Sequence, residues 1–66
     1  MKNRIRVERA ELRMTQQQLA EAIGVSRQTI HAIENGRFIP STVLALKIAR
    51  LFRKPVETIF QLEESE

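Results

Sequence analysis

The stretch from Gln16 to Ile33, QQQLAEAIGVSRQTIHAI, constrains the fold more than any other part of the chain. Two helices that cross steeply over a turn of roughly three to four residues need a small residue where their backbones approach, and Ala20 supplies it. Gly24 follows where the chain must reverse, because a residue without a Cβ adopts left-handed geometry at little cost. The stretch therefore predicts a helix-turn-helix, with its core over residues 16–34.

Apolar residues at helical spacing indicate the inner faces of both helices, since residues three or four apart lie on one side of a helix. They are Leu19 and Ile23 in the first helix of the motif, Ile30 and Ile33 in the second, and Val25 in the turn. Thr15 followed by Gln18 predicts a capping box, and Ser26 is a favourable N-cap for the second helix. The alternative is a generic helical hairpin within another kind of bundle.

The length and the absence of cysteine limit the fold. A chain of 66 residues forms one domain, 1–66, and without cysteine it has neither disulfides nor thiolate metal sites. No apolar run reaches the roughly 18 residues of a membrane span, and the N-terminal residues lack the apolar segment of a signal peptide. We therefore expect a cytoplasmic protein with a helical core.

Charge is distributed unevenly along the chain. All eleven lysine and arginine residues lie within residues 1–56 with only four of the eight glutamates, so this part carries a net charge of +7. Residues 57–66 hold the other four glutamates and carry −4. A body this basic suits a polyanion such as nucleic acid. A solubilising surface with an acidic tail is the alternative.

The pattern as a whole predicts an all-α domain of five helices. Their predicted bounds are about 4–13, 16–22 or 16–23, 27–34, 42–52 and 55–59. Ile5 and Leu12 are the expected apolar anchors of the first helix. Asn35-Gly36 ends the third helix, because both residues tolerate left-handed geometry. Phe38 in the next loop is expected to fold onto the edge of the domain.

The fourth helix should begin after Ser41 and has two apolar sides. Its predicted core stripe consists of Thr42, Ala45, Leu46, Ile48, Ala49 and Phe52. Leu44 and Leu51 are then expected on the opposite side, where an apolar stripe is typical of an interface. Together with Val56 and Leu62 they are the predicted dimer contact. The alternative is plain exposed surface.

The two ends of the chain are predicted to pair. Phe60-Gln61-Leu62 is too short for another helix, and as an extended segment it can pair with Met1–Arg4 in a two-stranded ribbon. The last residues, Glu63–Glu66, are expected to form a loose acidic end.

Arg9 falls on the inner face of the first helix. A buried arginine needs an acidic partner, because an unpaired charge in the interior is costly. Glu34, at the end of the third helix, is the candidate. The alternative is that Arg9 extends along the surface to reach solvent.

Residues 4–60 resemble one family of DNA-binding domains. The run TQQQLAEAIGVSRQTIHAIENGRFIPS, followed by LALKIARLF and PVETIF, is similar to the Cro/CI-type helix-turn-helix domain of the XRE family. The length, Phe38 and the FQL ending most resemble small stand-alone repressors of this family, such as the one that controls a bacterial cytolysin operon. The resemblance implies a lambda-repressor-like fold with a short terminal β-ribbon. It also implies a homodimer that binds a palindromic operator in double-stranded DNA and represses transcription.

The resemblance also implies which residues meet DNA. The positions that face base edges in the major groove match Arg27, Gln28, His31 and Ala32. The positions that contact the DNA backbone match Gln16, Thr29, Asn35, Arg37 and Ser41. For Gln16 this agrees with the preference of a helix N-terminus for anions. Arg9 and Glu34 match a buried ion pair between the first helix and the end of the recognition helix.

The chemistry of these side chains suits base recognition. Arginine bonds O6 and N7 of guanine together, and glutamine bonds N6 and N7 of adenine. The alternatives are a phosphate contact for Arg27, a water-mediated contact for Gln28 and a solvent-facing position for His31. Ala32 replaces a longer polar residue of some relatives and offers only a methyl contact. The fifth helix also lacks the tryptophan of some relatives, so a phage-type dimer interface is not implied.

No catalytic centre, metal site, cofactor or small-molecule ligand is predicted. The chain has one histidine, its acids lack metal-ligand spacing, and Ser26 and Ser41 are better explained as helix caps than as nucleophiles. The competing functional class is a protein-interaction module, such as an antitoxin or a bridging factor. Its partner surface would be the Leu44/Leu51 stripe and the acidic tail.

Overall fold

Five short helices and a two-stranded sheet make up the computed structural model, which describes all 66 residues. Their bounds are β1 Lys2–Asn3, α1 Ile5–Glu11, α2 Gln16–Ile23, α3 Arg27–Glu34, α4 Thr42–Phe52, α5 Val56–Ile59 and β2 Phe60–Gln61. The predicted five-helix fold with a terminal ribbon is confirmed. α1 is shorter than predicted at both ends.

The ribbon joins the two ends of the chain. β1 and β2 are antiparallel, with Lys2 opposite Gln61 and Asn3 opposite Phe60. The acidic end had been expected to be loose, but the structure shows it bonded to the N-terminus. Both carboxylate oxygens of Glu66 lie 2.9 Å from the amino group of Met1, and one of them accepts a 2.8 Å bond from the Glu63 N–H.

One apolar core holds the helices together. Its members are Ile5, Leu19, Ala20, Ile23, Ile30, Ile33, Ile48, Ala49, Phe52, Ile59 and Phe60. The four apolar residues predicted for the inner faces of the two helices are in it, and Val25 packs against it from the turn. The core therefore fixes α2 and α3 relative to each other and to the rest of the domain.

Left-handed residues end the first four helices. Gly24 (φ 78°) follows α2, and Gly36 (φ 73°) lies beyond α3, as predicted. After α3, the N–H groups of Gly36 and Arg37 bond the carbonyls of Ile33 and Ala32 at 3.0 and 2.9 Å. This is a Schellman motif, which satisfies carbonyls that the helix leaves unpaired. Arg13 (φ 53°) and Arg53 (φ 57°) act similarly after α1 and α4 without being glycine.

The N-terminal caps are those expected from the sequence. Thr15 Oγ1 accepts the Gln18 N–H at 3.0 Å, and Gln18 Oε1 accepts the Thr15 N–H at 2.8 Å, which completes a capping box. Ser26 caps α3 and Ser41 caps α4, each by accepting an N–H bond of 3.2 Å. Both helices of the motif therefore begin directly after the capping residues that the sequence predicted.

Leu12 is not an anchor of α1, so that prediction is wrong. α1 ends at Glu11, and the chain reverses at Arg13 with Leu12 in the C-cap position. This turn leaves the Leu12 side chain 55% exposed, while Met14 packs against the core instead.

The predicted faces of α4 are only partly confirmed: Ile48, Ala49 and Phe52 are buried and Ala45 packs against the core, but the rest of the assignment is wrong. Leu44 and Leu51 are half-buried and pack against the core, so they do not form a stripe on the side away from it. Thr42 and Leu46, which had been assigned to the core, are exposed. The inner side of the helix keeps Ile48 and Phe52 but extends toward Leu44, which lies one helical turn before Ile48.

The loop before α4 differs from expectation as well. Phe38 remains half exposed and does not fold onto the domain, whereas Pro40 is the buried residue of this loop. No helix in the structure is long and apolar enough to cross a membrane.

Candidate nucleic-acid interface

α3 presents a polar face to solvent along its whole length. Ile30 and Ile33 are buried on its inner side, while Arg27, Gln28 and His31 are exposed on the outer side. Thr29 and Ala32 are partly exposed at the margins. The four predicted base-contact positions therefore share the solvent-facing side of one helix. Arg27 and Gln28 have no side-chain bond within the domain and can pair with a ligand.

The residues predicted to contact the DNA backbone lie around both ends of α3. Thr29 is near its start, where its Oγ1 lies 3.0 Å from Ser26 Oγ. Asn35 and Arg37 follow its end, and both are exposed. Ser41 begins α4, and its hydroxyl oxygen is occupied as the cap acceptor while its proton is available to donate.

Gln16 is the first residue of α2 and points toward α3. Its Nε2 donates a 3.2 Å bond to Glu34 Oε1 and lies 3.4 Å from Nδ1 of His31. The backbone N–H groups of Gln16 and Gln17 have no acceptor in the domain, whereas that of Gln18 is bonded to Thr15 Oγ1. The position therefore combines free backbone donors with a side chain that is held against the recognition helix.

Arg9 and Glu34 form a two-point ion pair beneath the C-terminal end of α3. Arg9 Nε lies 2.6 Å from Glu34 Oε2, and Nη2 lies 3.0 Å from Oε1. The remaining nitrogen, Nη1, donates a 2.8 Å bond to the Met14 carbonyl. The Glu34 side chain is fully buried and that of Arg9 is 15% exposed. Two parallel bonds of this kind fix orientation as well as distance.

The charge of Glu34 is supported from three sides. Burial by itself would raise the pKa of this carboxyl, but the bonds from Arg9 and Gln16 and the nearby charges of Arg9 and Arg6 outweigh it. The pKa of Glu34 is therefore lowered from its ordinary value. The bond to Glu34 raises the pKa of Arg9, so both groups are ionised at neutral pH.

Two polar side chains of the N-terminal segment support the same end of α3, and the sequence did not point to their roles. Asn3 Nδ2 in β1 donates a 2.9 Å bond to the Ile33 carbonyl. Arg6 Nη2 donates a 3.4 Å bond to Asn35 Oδ1, and its Nε lies 3.5 Å from Glu34 Oε1. The ribbon and α1 therefore brace the recognition helix where it meets the expected backbone contacts.

A second buried carboxylate, that of Glu8, lies on α1. Glu8 is 3% exposed, and its two oxygens lie 2.8 and 3.0 Å from Lys54 Nζ. The bond to Glu8 raises the pKa of Lys54. The sequence offered one signal for this bond, because Glu8 lies on the inner face of the first helix, one position from Arg9.

No group of three or more metal-ligating side chains comes together in the structure. The candidate surface consists of the N-terminus of α2, the polar outer face of α3 and the hydrogen-bond donors that flank α3. Such a surface is that of a helix-turn-helix DNA-binding protein, in which the second helix of the motif enters the major groove.

Comparison with known proteins agrees with this class. The helix-turn-helix family model HTH_3 matches residues 5–59. The chain is 47% identical to the HTH-type transcriptional regulator YgzD of Bacillus subtilis (strain 168) over 64 residues, which cover 97% of each chain. It is 54% identical to an HTH-type transcriptional regulator of Methanothermobacter thermautotrophicus over 97% of its own length and 94% of the relative. It is 50% identical to the regulator MJ0272 of Methanocaldococcus jannaschii over the whole of both chains.

The chain therefore belongs to the XRE-type helix-turn-helix family, HTH_3. It is a transcriptional regulator with a helix-turn-helix DNA-binding domain.

Proposed function

We propose that this protein is a cytoplasmic repressor that binds a roughly palindromic operator as a homodimer. α3 of each copy lies in the major groove, and the two recognition helices are about 34 Å apart, one turn of the duplex. The observation that carries this proposal is the outer face of α3, where Arg27 and Gln28 are exposed and unpaired beside a fully packed inner face.

Four side chains of α3 read the bases. Arg27 bonds guanine O6 and N7, and Gln28 bonds adenine N6 and N7. His31 donates to an acceptor on a base edge, and Ala32 places its methyl group against thymine. Because Arg27 and Gln28 begin the helix, they reach deepest into the groove, in the manner of other helix-turn-helix proteins.

The DNA backbone is held on both sides of this helix. The residues in this role are Gln16, Thr29, Asn35, Arg37 and Ser41. These contacts set the register of the protein on the duplex without reading sequence. Gln16 and Asn35 are well suited, because the bonds of Gln16 to Glu34 and of Asn35 to Arg6 and His31 orient their amides before DNA arrives.

Binding to DNA from upstream of the protein's own gene tests the proposal. The purified protein is titrated with this duplex and with a scrambled duplex of the same composition, across a salt series. We expect a clear preference for the upstream DNA, with affinity for both falling steeply as salt rises. Gln28→Ala should reduce the preference without changing the salt dependence, and Arg37→Ala should weaken binding to both duplexes and lower the salt slope by about 1.

A second function follows from a different observation. Apolar side chains on α4, Val43 and Leu46, are exposed, and such surface suits a protein partner as in an antitoxin or a bridging factor. Equal and weak binding to both duplexes would favour this function over the repressor. It would also remove the reason to search for an operator. Neither function requires a catalytic step, a metal or a cofactor.

A further inference from the structure

Three of the seven large apolar side chains that are exposed lie on the outer side of α4 and in the loop before it. Ile39 is 63% exposed, Val43 64% and Leu46 53%. We call these three residues the α4 patch. Two grooves flank it and share Leu46. One, of about 240 Å³, lies toward the ribbon and is lined mainly by apolar residues, including Val56 and Phe60.

The α4 patch has a basic groove on one side and, on the other side, an apolar groove with the acidic tail beside it. The groove on one side of Leu46 is lined by Lys47 and Arg50 together with Val43. The groove on the other side includes Met1, whose amino group is bonded to Glu66 at 2.9 Å. The acidic tail, with exposed Glu63 and Glu64, is therefore anchored beside the second groove. The surface thus runs from basic through apolar to acidic.

A surface of this kind is complementary to itself. A two-fold axis through its centre brings the same patch of both copies together and places each end of one copy on the opposite end of the other. The basic end then meets the acidic end twice, while the apolar residues are removed from water. Lys47 and Arg50 repel a partner with the same charge at that place, so the arrangement also selects the orientation.

We infer that the α4 patch, with its basic and acidic ends, is the interface through which a second copy of this chain forms the homodimer. This inference rests on the homodimer of the proposed function. It moves the interface from Leu44 and Leu51, which pack against the core, to the neighbouring exposed side of the same helix. Of the other two residues predicted for the dimer contact, Val56 lines the groove toward the ribbon, whereas Leu62 is exposed and lines neither groove.

Sedimentation equilibrium of the purified protein tests the apolar part. Val43→Glu places a charge in the interface and should weaken the dimer by roughly tenfold or more. Val7→Glu is the matched control, because Val7 is also exposed, at 45%, but lies on α1 and lines neither groove. Circular dichroism of both variants checks that each is folded. An equal effect of the two substitutions, or a monomeric wild type, would overturn the inference.

A charge swap tests the orientation. Lys47→Glu with Arg50→Glu makes both ends of the surface negative, and Glu63→Lys with Glu64→Lys makes both ends basic. Each double variant alone should dimerise at least about tenfold more weakly than wild type in low salt. An equimolar mixture should recover dimers that contain one chain of each kind. If neither double variant loses affinity, or if the mixture recovers nothing, the proposed arrangement is wrong.

The DNA titration separates this inference from the proposed function. A wild-type monomer that still prefers its upstream DNA overturns the dimer surface and leaves operator recognition standing. A dimer that dissociates on Val43→Glu, yet shows no preference between duplexes, supports the surface and overturns the repressor.

Discussion

The two ends of the recognition helix differ in how the domain holds them. At the C-terminal end of α3, the buried Glu34 is bonded to Arg9 and Gln16, and Asn3 bonds the Ile33 carbonyl. At the N-terminal end only the Ser26 cap and the packing of Ile30 fix the helix, and Arg27 and Gln28 are unpaired. One helix is thus divided into an anchored end and an open end. The anchor sets the position of side chains that must themselves stay available to a ligand.

Arg9→Ala should have the largest effect, and it should act on the anchored end. It leaves the Glu34 charge buried without its main partner, which typically costs about 3–5 kcal/mol of stability. Urea unfolding at low temperature measures the loss. The matched control is Arg27→Ala, which removes an arginine from the open end and should leave the free energy of unfolding nearly unchanged. Equal free energies of unfolding for the two variants would contradict the distinction between an anchored and an open end of α3.

Arg27→Ala should leave stability nearly unchanged but weaken the recognition of specific bases. Losing a two-point contact to guanine reduces discrimination between the correct and a wrong base pair by about 1–3 kcal/mol. Fluorescence anisotropy with the upstream and the scrambled duplex gives the two affinities. A loss of the same size on both duplexes would show that Arg27 contacts phosphate and reads no base.

Gly36→Ala probes the turn that ends the anchored half. Nothing lies within 4 Å of the position that a Cβ would take, so the substitution meets no steric clash. The cost arises only from the left-handed backbone at φ 73° and should be about 1 kcal/mol. A change in the thermal midpoint reports it. A loss of several kcal/mol would mean that the turn contributes more to the stability of the C-terminal end of α3 than its geometry indicates.

The pH dependence of stability tests the charge of Glu34. Its pKa is lowered in the folded protein below the ordinary value of 4.5, so the folded state binds this proton less readily than the unfolded chain. The contribution is therefore fully present above about pH 4.5 and is lost as the pH falls through the folded pKa. Thermal midpoints of the wild type and Glu34→Gln should converge over this acidic range. A constant difference from neutral to acidic pH would contradict the assignment.

The helix-turn-helix could be predicted because its signals are local. Ala20, Gly24 and the Thr15 capping box each act within a few residues, so their geometry follows from the adjacent sequence. The apolar spacing of Ile30 and Ile33 also defines the outer face of α3, because the other positions of that helix, apart from Ala32, are polar. This contrast between apolar and polar positions predicted which side chains of the candidate DNA interface are exposed.

α4 could not be predicted as well, since it is apolar on almost every side. In TVLALKIARLF only the threonine, the lysine and the arginine are polar, and the pattern does not fix the rotation of the helix to within one residue. Leu44 and Leu46 exchanged their expected places for this reason. The location of the exposed apolar surface depends on that rotation, so the candidate dimer surface had to come from the packed structure.

The sequence by itself determined the family, the helix boundaries set by caps and glycines, and the residues on the outer face of α3. Only the tertiary structure decided the direction in which Leu12 and α4 face, the bond between Glu8 and Lys54, and the support that Asn3 and Arg6 give to α3. The physical reason is the range of the interactions. Caps and periodicity act within a few residues, whereas Glu8 and Lys54 are 46 residues apart and meet only because helix packing brings α1 beside the end of α4.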